Sequence, residues 1–224
     1  MARRASLHDG RRLNSLVVKL GGSNAAASEL ALWLDALAGA NLPLVIVPGG
    51  GPFADHIRDA QQRLDFSGKA AHAMAILAME QFGHLLLDRD DRLVATRTLS
   101  DIRSAMRRSR AAVWLPAPLA LWAHELPASW DTTSDSIAAW LAGGLECRSL
   151  LLIKQSDAVR AGMSVPQLAR TGIVDAGLDA LLPGDVALHI AGPRHAASAA
   201  KTLAEGGIPG VVVDAHVESV LKAG

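Results

Sequence analysis

The sequence predicts an α/β fold, a three-layer αβα sandwich with a mostly parallel central sheet. Short β-rich runs alternate with longer segments of helical spacing, which is typical of parallel strands connected by helices. Several of the runs are continuously apolar, as strands covered on both faces must be. The predicted strands are Leu16–Leu20, Leu44–Val47, Ala111–Leu115, Leu150–Ile153, Val186–Ile190 and Val211–Val213.

The segments between these strands carry helix signals. Pro193 near the start and Gly206 after the end are the punctuation expected of a helix through Ala196–Glu205. The stretch Lys69–Leu87 is apolar almost all round, which predicts a helix buried within the fold. Further helices are predicted after the glycines at 21 and 22, from about Pro52, and through Ile137–Leu141.

Composition limits the partners. The 224 residues include 22 basic and 22 acidic side chains, with a pI near 7.1, so no net field attracts nucleic acid or an anionic membrane. No apolar run approaches the length of about 18 residues that a membrane span needs. One cysteine, Cys147, excludes a disulfide within the chain and suits the cytoplasm. The arginine-rich stretch Met1–Arg12 is interpreted as a solvated tail.

Two lysines stand at the ends of apolar strands. The chain has five lysines against 17 arginines, and Lys19 and Lys154 follow the runs "LVV" and "LLLI". A partly buried ammonium group is costly unless an anion or a carboxylate compensates it. Since ligands of open α/β sheets bind at the carboxyl ends of strands, the pair favours a bound anion over side chains that merely extend into water.

Glycine-rich turns follow two of the predicted strands. Gly21, Gly22 and Ser23 allow a tight turn with exposed backbone amides. Gly49–Gly51 form a second glycine-rich turn before a helix, and both turns are typical of anion-binding sites. A plain strand-to-helix turn is the simpler alternative. A dinucleotide loop is another, because residues 49–54 fit G-x-G-x-x-A, although no acidic residue ends a following strand at the required distance. A P-loop motif is absent from the sequence.

A polar cluster precedes the helix predicted around Ile137. It contains more N-cap residue types than one helix needs: Thr132, Thr133, Ser134 and Asp135. Asp135 either complements the helix dipole or pairs with Lys19 and Lys154. We favour the pairing, because it compensates both ammonium groups.

Four stretches, "VVKLGGS", "VIVPGGGPFAD", "WDTTSDSIAAWLA" and "LLLIKQSD", together resemble the amino acid kinase family over about residues 15–160. The resemblance implies a flexible tail (1–14) and one kinase-like domain (15–224), with an acceptor lobe to about 145 and a nucleotide lobe from 146. The stretches "AHAMAILAMEQFG" and "LPASWDTTSDSIAAW" are most similar to family members of methanofuran-type cofactor biosynthesis. Those kinases convert [5-(aminomethyl)furan-3-yl]methyl phosphate to its diphosphate with ATP.

The resemblance also implies roles for individual residues. The catalytic residues would be Lys19, Asp135 and Lys154. ATP would contact Gly21, Gly22, Ser23, Lys154, Ser156 and Asp157. The phosphorylated acceptor would contact Gly49, Gly50, Gly51, Asp55, His72, Trp130, Thr133 and Ser134. Mg²⁺ would arrive with ATP, no metal site built by the protein is expected, and the chain would form a homo-oligomer.

Some positions depart from the family pattern. Ala158 stands where relatives usually have a glycine, and the C-terminal part lacks the Gly-Thr that commonly closes the fold. The glycine- and phenylalanine-containing stretch of uridylate kinases is missing as well, which disfavours UMP as acceptor. The altered loop leaves a second hypothesis open, a non-catalytic protein that binds a nucleotide or another anion.

Overall fold

A computed structural model describes residues 15–213, and the predicted tail at 1–14 lies outside them. The described residues form one seven-stranded sheet in the order β3-β4-β2-β1-β5-β6-β7. All neighbouring strands are parallel except β6 and β7. The strands are β1 Leu16–Leu20, β2 Leu44–Pro48, β3 Val94–Thr96, β4 Ala112–Trp114, β5 Ser149–Ile153, β6 Ala187–Ala191 and β7 Val211–Val213.

Helices cover both faces of the sheet. Most lie in the connections between parallel strands, as the right-handed crossovers of such sheets require. They are α1 Leu30–Ala38, α2 Gly51–Leu64, α3 Gly68–Arg89, α4 Leu99–Arg107, α5 Ala117–Ala120, α6 Ser134–Leu145, α7 Val165–Arg170, α8 Leu178–Leu181 and α9 Ala196–Ala204. The predicted fold class is confirmed. One strand, β3, was missed because three residues give no periodic signal.

The alternation of side chains along β1 decides where Lys19 points. Leu16 and Val18 pack in one apolar cluster, with residues of α1 and α9, whereas Val17 packs in the cluster on the α6 side. Since successive side chains of a strand alternate between faces, Lys19 shares the face of Val17. On β5 the same face holds Leu152, which is the register partner of Lys19, so Lys154 follows on that face just beyond the strand.

Two helix predictions need correction. Helix α3 is not enclosed: Met74 is 38% exposed and Leu77 is 46% exposed, because α2 and the sheet cover only one side of it. The many alanines of α3 hid this difference between its faces. The glycines after β1 lead into a 3-10 turn, Gly22–Ala26, and α1 begins only at Leu30, so no α-helix N-terminus lies at Ser23.

Between residues 15 and 213, no helix is both long and apolar enough to cross a membrane.

Candidate active site

Asp135 joins the two strand-end lysines. The Lys19 ammonium lies 2.9 Å from one carboxylate oxygen, Oδ1. The Lys154 ammonium donates to the other oxygen, Oδ2, at 2.6 Å. Because β1 and β5 are parallel neighbours, the two lysines leave the same edge of the sheet, and Asp135 meets them from the first turn of α6. The pairing predicted from the sequence is present in the structure.

This ion-pair cluster is buried. The side chains of Lys19 and Asp135 are 7% and 2% exposed, and that of Lys154 is 16% exposed. Burial alone would raise the pKa of the Asp135 carboxyl, but the ammonium groups of Lys154 and Lys19 hold this pKa well below its usual range. Burial lowers the pKa of Lys19, Lys154 adds to the lowering, and Asp135 opposes both. Asp135 is therefore an ionised bridge between two cations.

Asp175 is a site residue that the sequence did not reveal. Its Oδ2 accepts hydrogen bonds from the Thr133 amide at 3.0 Å, the Thr133 hydroxyl at 2.7 Å and the Ser136 amide at 3.1 Å. Asp175, which lies in the segment between α7 and α8, thus caps the N-terminus of α6. Thr133 occupies the N-cap position, but its own side chain makes no capping hydrogen bond. Asp175 is about 40 residues from Thr133 and Ser136 in the sequence, so no local sequence pattern predicts this cap.

The glycine loops after β1 and β2 pack backbone against backbone. A Cβ atom on Gly22 would lie 2.0 Å from the amide nitrogen of Gly51, and one on Gly49 would lie 2.3 Å from the amide nitrogen of Gly22. No side chain fits at either position. The glycines therefore bring the ends of β1 and β2 together, whatever else they bind.

The backbone amides of Gly21 and Gly49 already have hydrogen-bond partners in the protein, and the ligand contacts of these two glycines stay predictions. The Gly21 amide donates to Ile153 O at 3.1 Å, so it is not free for a phosphate oxygen. Gly49 donates its amide to Leu20 O at 2.9 Å and is not one of the residues that line the cavity described below. Both amides extend the strand pairing at the sheet edge. Gly22, by contrast, lines the cavity with Ser23.

A cavity of about 240 Å³ opens beside Lys19. It collects most of the residues predicted to contact the acceptor, namely Gly50, Gly51, Asp55, His72, Trp130, Thr133 and Ser134. Ile76 and Met79 of α3 supply apolar lining. The cavity thus combines a cation and glycine amides at one end with an apolar wall.

Arg58 is a second residue that the sequence analysis missed. Its guanidinium lies 4.3 Å from the centroid of the Trp130 ring, over the ring face, and 3.4 Å from the Asp55 carboxylate. The Trp130 indole donates to Gln61 Oε1 at 2.7 Å, which fixes the ring against α2. Burial lowers the pKa of His72, although a hydrogen bond with the Ser129 backbone works in the opposite direction.

Ser156 and Asp157 lie apart from this cavity. The Asp157 carboxylate accepts the Arg194 amide, with both oxygens 3.3 Å away, next to Gly192 after β6. A Cβ atom on Gly192 would lie 2.3 Å from Asp157 Oδ1, so the loops after β5 and β6 are closely packed. The contact of Ser156 and Asp157 with a nucleotide stays a prediction.

The residues around the ion-pair cluster do not form a metal site. Across residues 15–213, no three His, Cys, Asp or Glu side chains are placed to hold a metal ion. Both Asp135 oxygens already face ammonium groups.

Comparisons with known proteins agree on the fold. No family model matches the chain. The chain superposes on uridylate kinase from Archaeoglobus fulgidus with a TM-score of 0.64 and 15% identity, covering 88% of this chain and 99% of that one. It superposes on isopentenyl phosphate kinase with a TM-score of 0.55 and 15% identity, covering 89% and 99%. The chain has the amino acid kinase fold that its motifs predicted.

One curated relative is more similar in sequence. Over 119 residues the chain is 30% identical to [5-(aminomethyl)furan-3-yl]methyl phosphate kinase from Methanocaldococcus jannaschii. The match covers 53% of this chain and 55% of that protein, so it spans about half of each.

We expect Gly22→Ala to destabilise the protein, because its Cβ would meet backbone atoms that cannot move aside. Overpacking of this kind costs about 1–3 kcal/mol or more. Gly144→Ala is the matched control, since the nearest atoms to its Cβ would be Leu99 carbons at 3.8 and 3.9 Å. Urea denaturation of both variants checks this. Equal free energies of unfolding for Gly22→Ala and wild type would contradict the close packing of the loops.

Asp135→Asn should destabilise the protein by about 3–5 kcal/mol at pH 7, because it leaves two buried cations without their counter-charge. The folded-state pKa of Asp135 is depressed, so its contribution to stability is present above the usual carboxyl pKa and is lost as pH falls below it. The difference between wild type and variant should therefore shrink from pH 5 towards pH 3. Urea denaturation across this range measures it, and a constant difference would contradict the ionised bridge.

Proposed function

We propose that this protein is an ATP-dependent kinase that phosphorylates a small phosphorylated acceptor. The best candidate acceptor is [5-(aminomethyl)furan-3-yl]methyl phosphate, which would become a diphosphate in the synthesis of a methanofuran-type cofactor. The observation that carries the proposal is the carboxylate-bridged lysine pair, which lies beside a cavity at the carboxyl ends of parallel strands. The partial match to a kinase of that phosphate supports the choice of acceptor.

The lysine pair suits phosphoryl transfer. Such reactions need positioned cations on the phosphoryl oxygens and no covalent intermediate on the protein. Lys19 and Lys154 supply two positive charges, and Asp135 sets their spacing while cancelling only one of them. The two ammonium groups at the sheet edge would contact the polyphosphate of ATP.

The nature of the acceptor explains why the site can work without a general base. Asp135 is held ionised with its oxygens on ammonium groups, so it is poorly suited to take a proton. A phosphate monoester has its second pKa near 6, so about one to two of its oxygens are already deprotonated at neutral pH. An acceptor phosphate is therefore a ready nucleophile.

The proposed step follows from this arrangement. An oxygen of the acceptor phosphate attacks the γ-phosphorus of ATP, and the bond from that phosphorus to the β–γ bridging oxygen breaks. The electron pair leaves with ADP. Lys19, between the glycine loops and the cavity, would contact the transferred group, and Lys154 would neutralise the charge that develops on the leaving oxygen. Mg²⁺ would be held by the phosphate oxygens of ATP.

The cavity offers complementary groups for the rest of the acceptor. The Trp130 ring and the apolar side chains of Ile76 and Met79 suit a small aromatic ring. Asp55 provides a carboxylate for an aminomethyl ammonium, and His72 with Gly50 and Gly51 would contact the acceptor phosphate.

A protein that binds a nucleotide without transferring phosphate is the second candidate. The loop after Lys154 favours it, because Ala158 replaces the usual glycine and Arg160 donates to Val159 O at 3.0 Å within the loop. Calorimetry with ATP, run beside an assay of ADP release with the furan phosphate, separates the two. Binding without ADP release would favour the second candidate.

Lys154→Ala should lower kcat about 100-fold and change the KM of ATP only a few-fold, because its charge matters most as the bridging bond breaks. Lys201→Ala is the control, since its side chain is 82% exposed on α9. Steady-state ADP release measures both variants. An unchanged kcat in Lys154→Ala would contradict its role.

Trp130→Leu should raise the KM of the acceptor about tenfold, in line with the cost of losing an aromatic contact, and leave the KM of ATP unchanged. Trp122→Leu is the matched control, because Trp122 is 78% exposed. Equal effects on both substrates would show that Trp130 supports the fold rather than the acceptor.

A further inference from the structure

We propose that Asp175 is the positioning residue of the lysine pair, holding both the helix that carries Asp135 and the Asp135 carboxylate itself. This inference rests on the proposed function, since the pair it positions is the one assigned to phosphoryl transfer.

Asp175 contacts α6 through its side chain and the Asp135 carboxylate through its backbone amide. Its side chain accepts the amides of Thr133 and Ser136 and both hydroxyl groups of these residues, which fixes the first turn of α6. Its own amide donates to Asp135 Oδ2 at 3.2 Å, the oxygen that also binds Lys154. One residue therefore sets the position of the helix and the orientation of the carboxylate.

The neighbouring glycine keeps Asp175 in place. The Gly177 amide donates to Asp131 O at 2.8 Å. A Cβ atom on Gly177 would lie 2.8 Å from that oxygen and 3.1 Å from the Thr132 hydroxyl. The segment between α7 and α8 is thus pressed against the loop that enters α6, and Thr132 and Thr133 of this loop line the acceptor cavity.

The charge of Asp175 acts on Lys19. The charged groups that influence the Lys19 ammonium are Asp135, Lys154 and Asp175, and both carboxylates favour its protonated form. Asp175 is costly to ionise, because burial and the nearby Asp135 raise its pKa. A neutral amide side chain could accept only some of these hydrogen bonds, because its NH₂ group donates and does not accept.

Two variants separate these roles. Asp175→Asn keeps the shape and one acceptor oxygen but removes the charge, whereas Asp175→Ala removes the cap as well. Asp179→Asn is the matched control, because Asp179 is exposed on α8 in the same segment. The chain has only five lysines, so ¹³C-labelled lysine gives few enough NMR signals to titrate each one.

We expect the midpoint of the Lys19 titration to move to lower pH in Asp175→Asn and in Asp175→Ala, while Lys69 and Lys201 stay unchanged. In Asp175→Ala we also expect kcat to fall about 100-fold with little change in KM, as misplacement of reacting groups produces. Asp179→Asn should match wild type in both measurements.

An unchanged Lys19 titration in Asp175→Asn would overturn the proposal and leave Asp175 as an ordinary helix cap. The titration needs no turnover. If wild type transfers no phosphate to any acceptor, the proposed function fails, whereas a shifted Lys19 midpoint would still support the positioning role.

Discussion

One buried carboxylate between two ammonium groups is the interaction on which the rest of the site depends. Lys19 and Lys154 would repel each other, and burial would disfavour their charges, if Asp135 did not lie between them. Removing Asp135 would leave two buried cations without their counter-charge. Within this trio Asp135 cancels only one of the two lysine charges, and the nearby Asp175 carboxylate offsets part of the remainder.

The sheet topology explains why this cluster forms where it does. Strand β1 has β2 on one side and β5 on the other, so the connections from the centre of the sheet run in opposite directions. Open α/β sheets bind ligands at such a switch point. Gly22 and Gly51 pack closely at the ends of β1 and β2, and Lys154 follows β5 on the other side of β1. The proposed transfer would bring two phosphates together across the end of β1.

The sequence predicted much of this site because the information was local. Lys19 and Lys154 lie at the ends of apolar strands. Side chains alternate between the two faces of a strand, which places both lysines on one face of the sheet. Asp135 lies in the first turn of a helix at the same edge. The sequence analysis missed Asp175 and Arg58 for a physical reason: their roles come from contacts between distant segments, which leave no periodicity or spacing. The exposed face of α3 was not predicted for a different reason. Alanines occupy both sides of that helix, so only its packing against α2 distinguishes the buried side from the exposed one.

The most direct test of the central claim is a crystal structure with a non-hydrolysable ATP analogue and the furan phosphate. The account predicts the ammonium groups of Lys19 and Lys154 at about 2.7–2.9 Å from phosphate oxygens, with Asp135 still between them. It also predicts the acceptor in the cavity beside Trp130. A nucleotide whose phosphates lie away from both lysines would contradict it.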